Sequence, residues 1–220
     1  MQEGNKAMGY QRIITGGIGY IEPVEGCSSW YWGADAVRND LYEARELYEL
    51  RQRTDRNRLI LLHDPEGTVY EPVSAEAWQY FGKPVCENGT IFFPAVLFEE
   101  KIIRIFGFDM KTCQTEIIEE IPLEKAGDCY NLCLHVSPLT LCTQRQGSLN
   151  LIWPEAGRYD LGGHETFFYR DHDFLICSEW HEDPDYREEI VIRRITDGAV
   201  TERTAGTAYL MPSGNIRIIA

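Results

Sequence analysis

The sequence predicts an all-β chain in which a unit of four strands recurs about five times. Two observations carry that expectation. Extended hairpins return at a nearly constant spacing, and an aromatic or apolar cluster returns between them. The 12 Tyr, 9 Phe and 5 Trp among 220 residues suit the pleated, half-buried surfaces on which strands pack.

Four hairpins share one form. Leu59–Leu62 turns through His63-Asp64-Pro65-Glu66-Gly67 into Thr68–Val73, and Ile102–Phe108 turns through Asp109-Met110-Lys111-Thr112 into Thr115–Ile121. Leu149–Trp153 turns through Pro154-Glu155-Ala156-Gly157, and Ile190–Ile195 through Thr196-Asp197-Gly198. Asp, Pro and Gly supply the fixed φ, side-chain-to-backbone bonds and positive φ that a reversal needs. Between Asp64, Asp109, Pro154 and Asp197 the steps are 45, 45 and 43 residues.

The clusters are Trp30-Tyr31-Trp32, Ile91-Phe92-Phe93, Tyr130-Asn131-Leu132, Phe167-Phe168-Tyr169 and Tyr209-Leu210-Met211. We read each as an innermost strand. At the ends, Gln11–Thr15, Gly16-Gly17 and Ile18–Val24 read as one more hairpin, and Ala208–Met211 with Asn215–Ala220 as another. Pro23 and Pro72 mark edge strands, because proline donates nothing to a ladder. The two ends are expected to share one sheet.

A period near 44 with four strands per unit is propeller arithmetic. On these hairpins and clusters the chain resembles the five-bladed β-propellers, in which N- and C-terminal strands close the ring. The resemblance is architectural and carries no blade signature such as a Trp-Asp pair. It implies a single domain over residues 1–220, each blade burying its faces against two neighbours. A β-sandwich or another barrel is the alternative arrangement of the same strands.

The first unit is longer than the rest, and residues 40–52 account for the surplus. Asp40-Leu41-Tyr42-Glu43 resembles a capping box, and Leu41, Ala44, Leu47 and Tyr48 fall on one helical face, so a short helical insertion is expected. Alternation over Leu41–Leu50 also permits a strand.

Net charge is −14, from 35 acidic and 21 basic residues. Such a surface repels phosphate backbones and anionic headgroups, so neither nucleic acid nor a membrane is expected as partner. Residues 1–8 carry no apolar signal region, and no run reaches 18 apolar residues. The seven cysteines lack the short paired spacings of zinc sites. Cys129 and Cys133 are four apart, and no second pair completes a metal cage. Reduced core thiols in a cytoplasm are the expectation, with no cofactor and no metal. Asn88-Gly89-Thr90 matches a glycosylation sequon without secretory context.

No phosphate loop, Gly-x-Ser-x-Gly elbow or His-Glu-x-x-His occurs. In a propeller, ligands sit where the channel opens, between the loops entering each inner strand and those joining second and third strands. The entering loops are expected to supply Ser28, Ser29, Asn88, Asp128, His164 and Glu165. The other loops would supply Glu99, Glu100, Gln144, His181, Glu182 and Asp183. His164 and His181 are candidate ligand-binding residues, set against the plainer role of solvated loop residues. Asp171-His172-Asp173 forms a turn on the opposite face.

Trp30 and Trp32 offer faces on which a sugar could stack, or else fill the interior between blades. Asp35, Glu99, Glu165 and Glu182 are candidate catalytic carboxylates. Some five-bladed enzymes cleave glycosidic bonds with paired carboxylates around the channel. Two functions follow: a non-catalytic module binding a small molecule or a protein at the channel mouth, or a carbohydrate-acting hydrolase.

Overall fold

A computed structural model describes residues 11–35, 37, 40–54, 57–145 and 147–220. The residues read for a signal region, 1–8, lie outside these.

The first sheet runs β1 (Glu22–Pro23), β2 (Trp30–Ala34), β3 (Leu59–His63) and β4 (Thr68–Tyr70), each strand antiparallel to the next. Helix α1 (Leu41–Glu49) stands between β2 and β3. It starts where the Asp40 carboxylate accepts from the backbone N–H of Tyr42 and Glu43, both at 3.0 Å. The helix buries Leu41 and Ala44 against the second sheet. The helical insertion is therefore formed, and its N-cap is the residue expected from the sequence.

In the second sheet two short strands, β5 (Gln79–Phe81) and β6 (Val85–Glu87), share the first position. They pair with opposite halves of β7 (Thr90–Leu97), which leads to β8 (Ile102–Asp109) and β9 (Gln114–Pro122). A short 3-10 turn, Leu123–Ala126, precedes the third sheet. That sheet is β10 (Cys133–His135), β11 (Thr140–Arg145), β12 (Ser148–Trp153) and β13 (Gly157–Asp160). The fourth is β14 (Glu165–Asp171), β15 (Phe174–His181), β16 (Arg187–Arg194) and β17 (Val200–Ala205). A hairpin of β18 (Thr207–Leu210) and β19 (Ile216–Ile219) follows.

Packing follows from side-chain alternation along each strand. On β7, Ile91, Phe93, Ala95 and Leu97 face Trp30, Trp32, Leu59 and Leu61 of the first sheet. Val96, on the other face, joins Ile103 and Ile105 against Leu134 and Leu141 of the third. Cys142, Leu149 and Leu151 of the third sheet meet Phe167, Leu175 and Val191 of the fourth. Ile176 and Ile190, on that sheet's far side, pack with Ala208 of the hairpin. Each interior sheet is thus covered on both faces by its chain neighbours, and the outer strands β13 and β17 lie largely exposed. This is a β-propeller arrangement: among the described residues, four blade-like sheets and a two-stranded hairpin, with one α-helix.

Two expectations differ from this. The clusters Trp30-Tyr31-Trp32 and Ile91-Phe92-Phe93 lie on β2 and β7, the second strands of their sheets. Tyr130-Asn131-Leu132 precedes β10, and only Phe167–Tyr169 and Tyr209-Leu210 lie on first strands. The first strands β1 and β6 are two and three residues long, too short to show a pattern, so the longer strand beside them carries the apolar signal. The second difference concerns the ends. Gln11–Thr15 forms no strand, Glu22–Pro23 pairs with β2, and β19 pairs with β18. The sharing of one sheet by both ends is not among the pairings of the described residues.

First strands and their flanks nonetheless meet around a common centre. Glu25 forms an isolated parallel bridge with Val85, and the Cys86 N–H donates to the Glu25 carbonyl at 2.8 Å. The Glu25 carboxylate accepts from Lys83 Nζ at 2.9 Å. Tyr169, on β14, hydrogen-bonds both the Glu25 side chain and the backbone of Leu210, and burial holds its phenol up at about 12. The Leu210 side chain reaches back to Gly26.

Candidate functional site

In an up-and-down sheet, turns between first and second strands emerge at one end and turns between second and third at the other. Two hollows follow. The first, of about 570 Å³, opens at the end where β10 and β14 begin. Its walls come from the loop before β10 (Tyr130–Leu132), the end of β11 (Gln144, Arg145), the loop before β14 (His164) and the end of β15 (Trp180). Lys83, between β5 and β6, closes the side toward the second sheet.

Tyr130 and Trp180 supply flat faces, 40% and 36% exposed. The Arg145 guanidinium stands 5.1 Å over the Tyr130 ring and is ion-paired to Asp128. His164 meets Trp180 edge-on, with ring centroids 4.2 Å apart. Gln144 braces the wall: its Oε1 accepts from the Phe167 N–H at 3.0 Å, and its backbone carbonyl accepts from Asn131 Nδ2 at 3.2 Å.

Cys133 and His135 form the floor. They are two apart on β10 and therefore share a face, and Cys142 is the register partner of Cys133 on β11. Cys133 Sγ lies 3.3 Å from His135 Nε2 and 3.8 Å from Cys142 Sγ. The Cys142 contact, helped by the His135 ring, holds the Cys133 thiol well below its ordinary range. The same contact, with burial, drives Cys142 well above it. Burial opposes a charged imidazole at His135, yet Cys133 beside it, with Glu25 and the Phe168 backbone, together hold the ring above an ordinary histidine. Donor atoms of all three lie within 4.8 Å of one another, and two thiols with an imidazole are a donor set suited to a borderline metal.

The second hollow, about 450 Å³, lies at the opposite end, among the turns joining first to second strands. Ser28, Ser29 and Asn88, expected on the same face as His164, line this one. The cause is the strand order: β2 and β7 are second strands, so the turns before them point the other way. Cys27 and Cys86 lie here side by side.

The four candidate carboxylates all emerge at the end of the first hollow, and only Glu165 lines it. Glu165 is tied to Arg193, Asp35 to Arg58 at 2.7 Å and the exposed Glu99 to Arg51 at 2.7 Å, while Glu182 is exposed on the β15–β16 turn. No two of them share the cleft. Trp30 and Trp32 are 2% and 4% exposed, packed between the first two sheets, so neither offers a ring face to a ligand. The Trp30 ring stacks instead on His63. Among the other candidates, His164 and Gln144 are in the cleft wall. His181 is outside it, near Glu179 and Glu189, where Arg203 already pairs with both carboxylates.

The floor was missed in the sequence because its signal is split. Cys133-Leu134-His135 is a strand-period pair, but Cys142 joins it only through the register of β10 against β11.

The chain matches no protein-family model and no curated protein. Two solved structures are similar in outline. One is the β-propeller domain of the trilobed protease from Pyrococcus furiosus, described as having an open velcro topology, at TM-score 0.43 and 12% identity over 89% of this chain and 60% of that one. The other is a chain of the mitotic checkpoint complex, at TM-score 0.43 and 10% identity over 93% of this chain and 58% of that one. This chain spans less than two thirds of either. The arrangement of sheets described above rests on strand pairing and packing alone.

Proposed function

We propose that this protein is a non-catalytic binding module of the propeller type, taking a small, flat, acceptor-rich molecule into the cleft between Tyr130 and Trp180. One observation carries the reading: loops from the second, third and fourth sheets converge on a cleft whose lining offers donors in an otherwise acidic chain. Among the described residues, Lys83 pairs with Glu25 and Arg145 with Asp128, and each cation has further N–H groups to offer. Glu165, the one carboxylate of the lining among the described residues, is held by Arg193. Convergent polar groups beside exposed aromatic faces are the usual make-up of a ligand pocket. A small organic anion with an aromatic ring fits this chemistry best.

The ring belongs to the same proposal. The contact of Leu210 with Gly26 is its seam, and β18–β19 is a fifth, two-stranded blade. A reducing, cytoplasmic setting fits seven cysteines that are all unpaired, and the acidic surface argues against nucleic acid or membrane partners.

The test is to titrate a panel of aromatic carboxylates and phosphates against Trp fluorescence and by calorimetry. Saturable binding that Trp180→Ala and Lys83→Met each weaken at least tenfold, on the order of 1.4 kcal/mol, supports the reading. Binding unchanged by both substitutions, or turnover of any panel of glycosides, overturns it.

A further inference from the structure

We infer that Cys133, His135 and Cys142 are three protein ligands of one zinc-type divalent cation, its fourth position open to the cleft. Two of the three donor separations are close to those around a tetrahedral centre. With Zn–S of about 2.3 Å and Zn–N of about 2.0 Å at tetrahedral angles, two sulfurs stand roughly 3.8 Å apart and sulfur and nitrogen roughly 3.5 Å. Here the sulfurs are 3.8 Å apart, and Cys133 Sγ is 3.3 Å from His135 Nε2. The remaining separation, between Cys142 and the His135 ring, is within 4.8 Å, so small side-chain adjustments would bring all three onto one cation.

The surroundings suit a metal better than the two other uses of such residues. A disulfide between Cys133 and Cys142 would leave His135 without a part to play. A nucleophilic Cys133 with His135 as base would not need Cys142, which is fully buried. The His135 ring also hydrogen-bonds the backbone of Phe168 and packs on Phe167 at 4.5 Å. Such a backbone partner orients a metal-bound imidazole. Two thiolates neutralise a dication, so the filled site would carry no net charge into the interior, and Glu25 offsets Lys83 beside it. Three protein ligands and an open fourth position describe a site that exchanges ligands, as opposed to a closed structural one.

Where the cleft takes a small anion, that anion would supply the fourth ligand. This last step rests on the binding reading, whereas the cation site does not.

The experiment uses the full chain, reduced and freed of metal, titrated with Co(II) and then with Zn(II) against a chromophoric chelator. We expect one equivalent of Co(II), with thiolate-to-metal charge transfer and the visible bands of a tetrahedral centre, displaced by Zn(II). Cys142→Ser and His135→Asn should each weaken binding by more than the roughly 10–100-fold that outer-shell changes cost, and Cys113→Ser should leave it unchanged. Circular dichroism of the metal-free variants separates ligand loss from misfolding, and half-buried His135 is the safer of the two positions. Trp180→Ala should keep the metal and lose only the organic ligand. No stoichiometric uptake overturns the site, as does uptake indifferent to both substitutions in folded protein. Alkylation of Cys133 at equal rates with and without Zn(II) overturns it too.

Discussion

Glu165 and Arg193 form a two-point ion pair across the face of the fourth sheet. Arg193 Nε donates to one carboxylate oxygen at 2.8 Å and a terminal nitrogen donates to the other at 2.6 Å. The Glu165 side chain is 1% exposed and that of Arg193 13%. The pair underlies the wall on which His164 and Trp180 stand, which gives Glu165 a structural part there.

Glu165→Gln strands a guanidinium that has little water to replace its partner. A buried pair broken on one side costs about 3–5 kcal/mol, so urea denaturation should show a loss of about 3 kcal/mol. Arg193→Met alone should cost a similar amount, and the double variant much less than the sum. Additive losses would mean the two groups do not depend on each other.

Cys27 sits in the β1–β2 turn of the second hollow. Its hydrogen bond with the Cys86 thiol, opposed by burial and helped by the backbone of Ser29 and Trp30, lowers its pKa from 9.0 to about 5. A depressed acid is charged above its folded pKa, so Cys27 is thiolate through the neutral range and loses that charge as pH falls through about 5. Iodoacetamide should therefore label Cys27 at a rate nearly independent of pH around neutrality, whereas an ordinary thiol speeds up about tenfold per pH unit there. Cys129 and Cys177, raised by burial to about 11 and about 12, should label far more slowly than Cys27. Site-resolved mass spectrometry over a pH series gives the answer.

Gly26 has φ +83°, and a Cβ there would come within 2.5 Å of the Cys86 carbonyl oxygen. Both the left-handed backbone and the close approach of the first two sheets demand glycine. Gly26→Ala should cost about 2 kcal/mol or more, with faster amide exchange at Cys86, whose N–H bonds to Glu25. Unchanged stability would mean that the two sheets do not meet here.

Asp40 holds the start of α1 through two backbone N–H groups. Asp40→Ala should lower stability by about 1 kcal/mol, and Asp40→Asn by less, since the amide oxygen still accepts. A loss equal for both would implicate the charge and not the cap.

Much of this molecule is written locally. The hairpins β3–β4, β8–β9, β12–β13, β16–β17 and β18–β19 lie where Asp, Pro and Gly interrupt β-branched runs, because a turn is decided by residues adjacent in the chain. The same holds for α1, whose cap and apolar stripe fall within ten residues. The chain alone therefore determined an all-β protein of recurring units, with one helix set into the first.

Tertiary structure decided which strand comes first in each sheet, and with it which turns share a mouth. Glu22–Pro23 is a strand only because β2 is there to pair with it. Trp30 and Trp32 became interior because the second sheet lies against them, and Cys142 came beside Cys133 and His135 through ladder register. Long-range pairing brings these groups together, and a side chain's neighbours across a sheet leave no mark in the residues beside it along the chain.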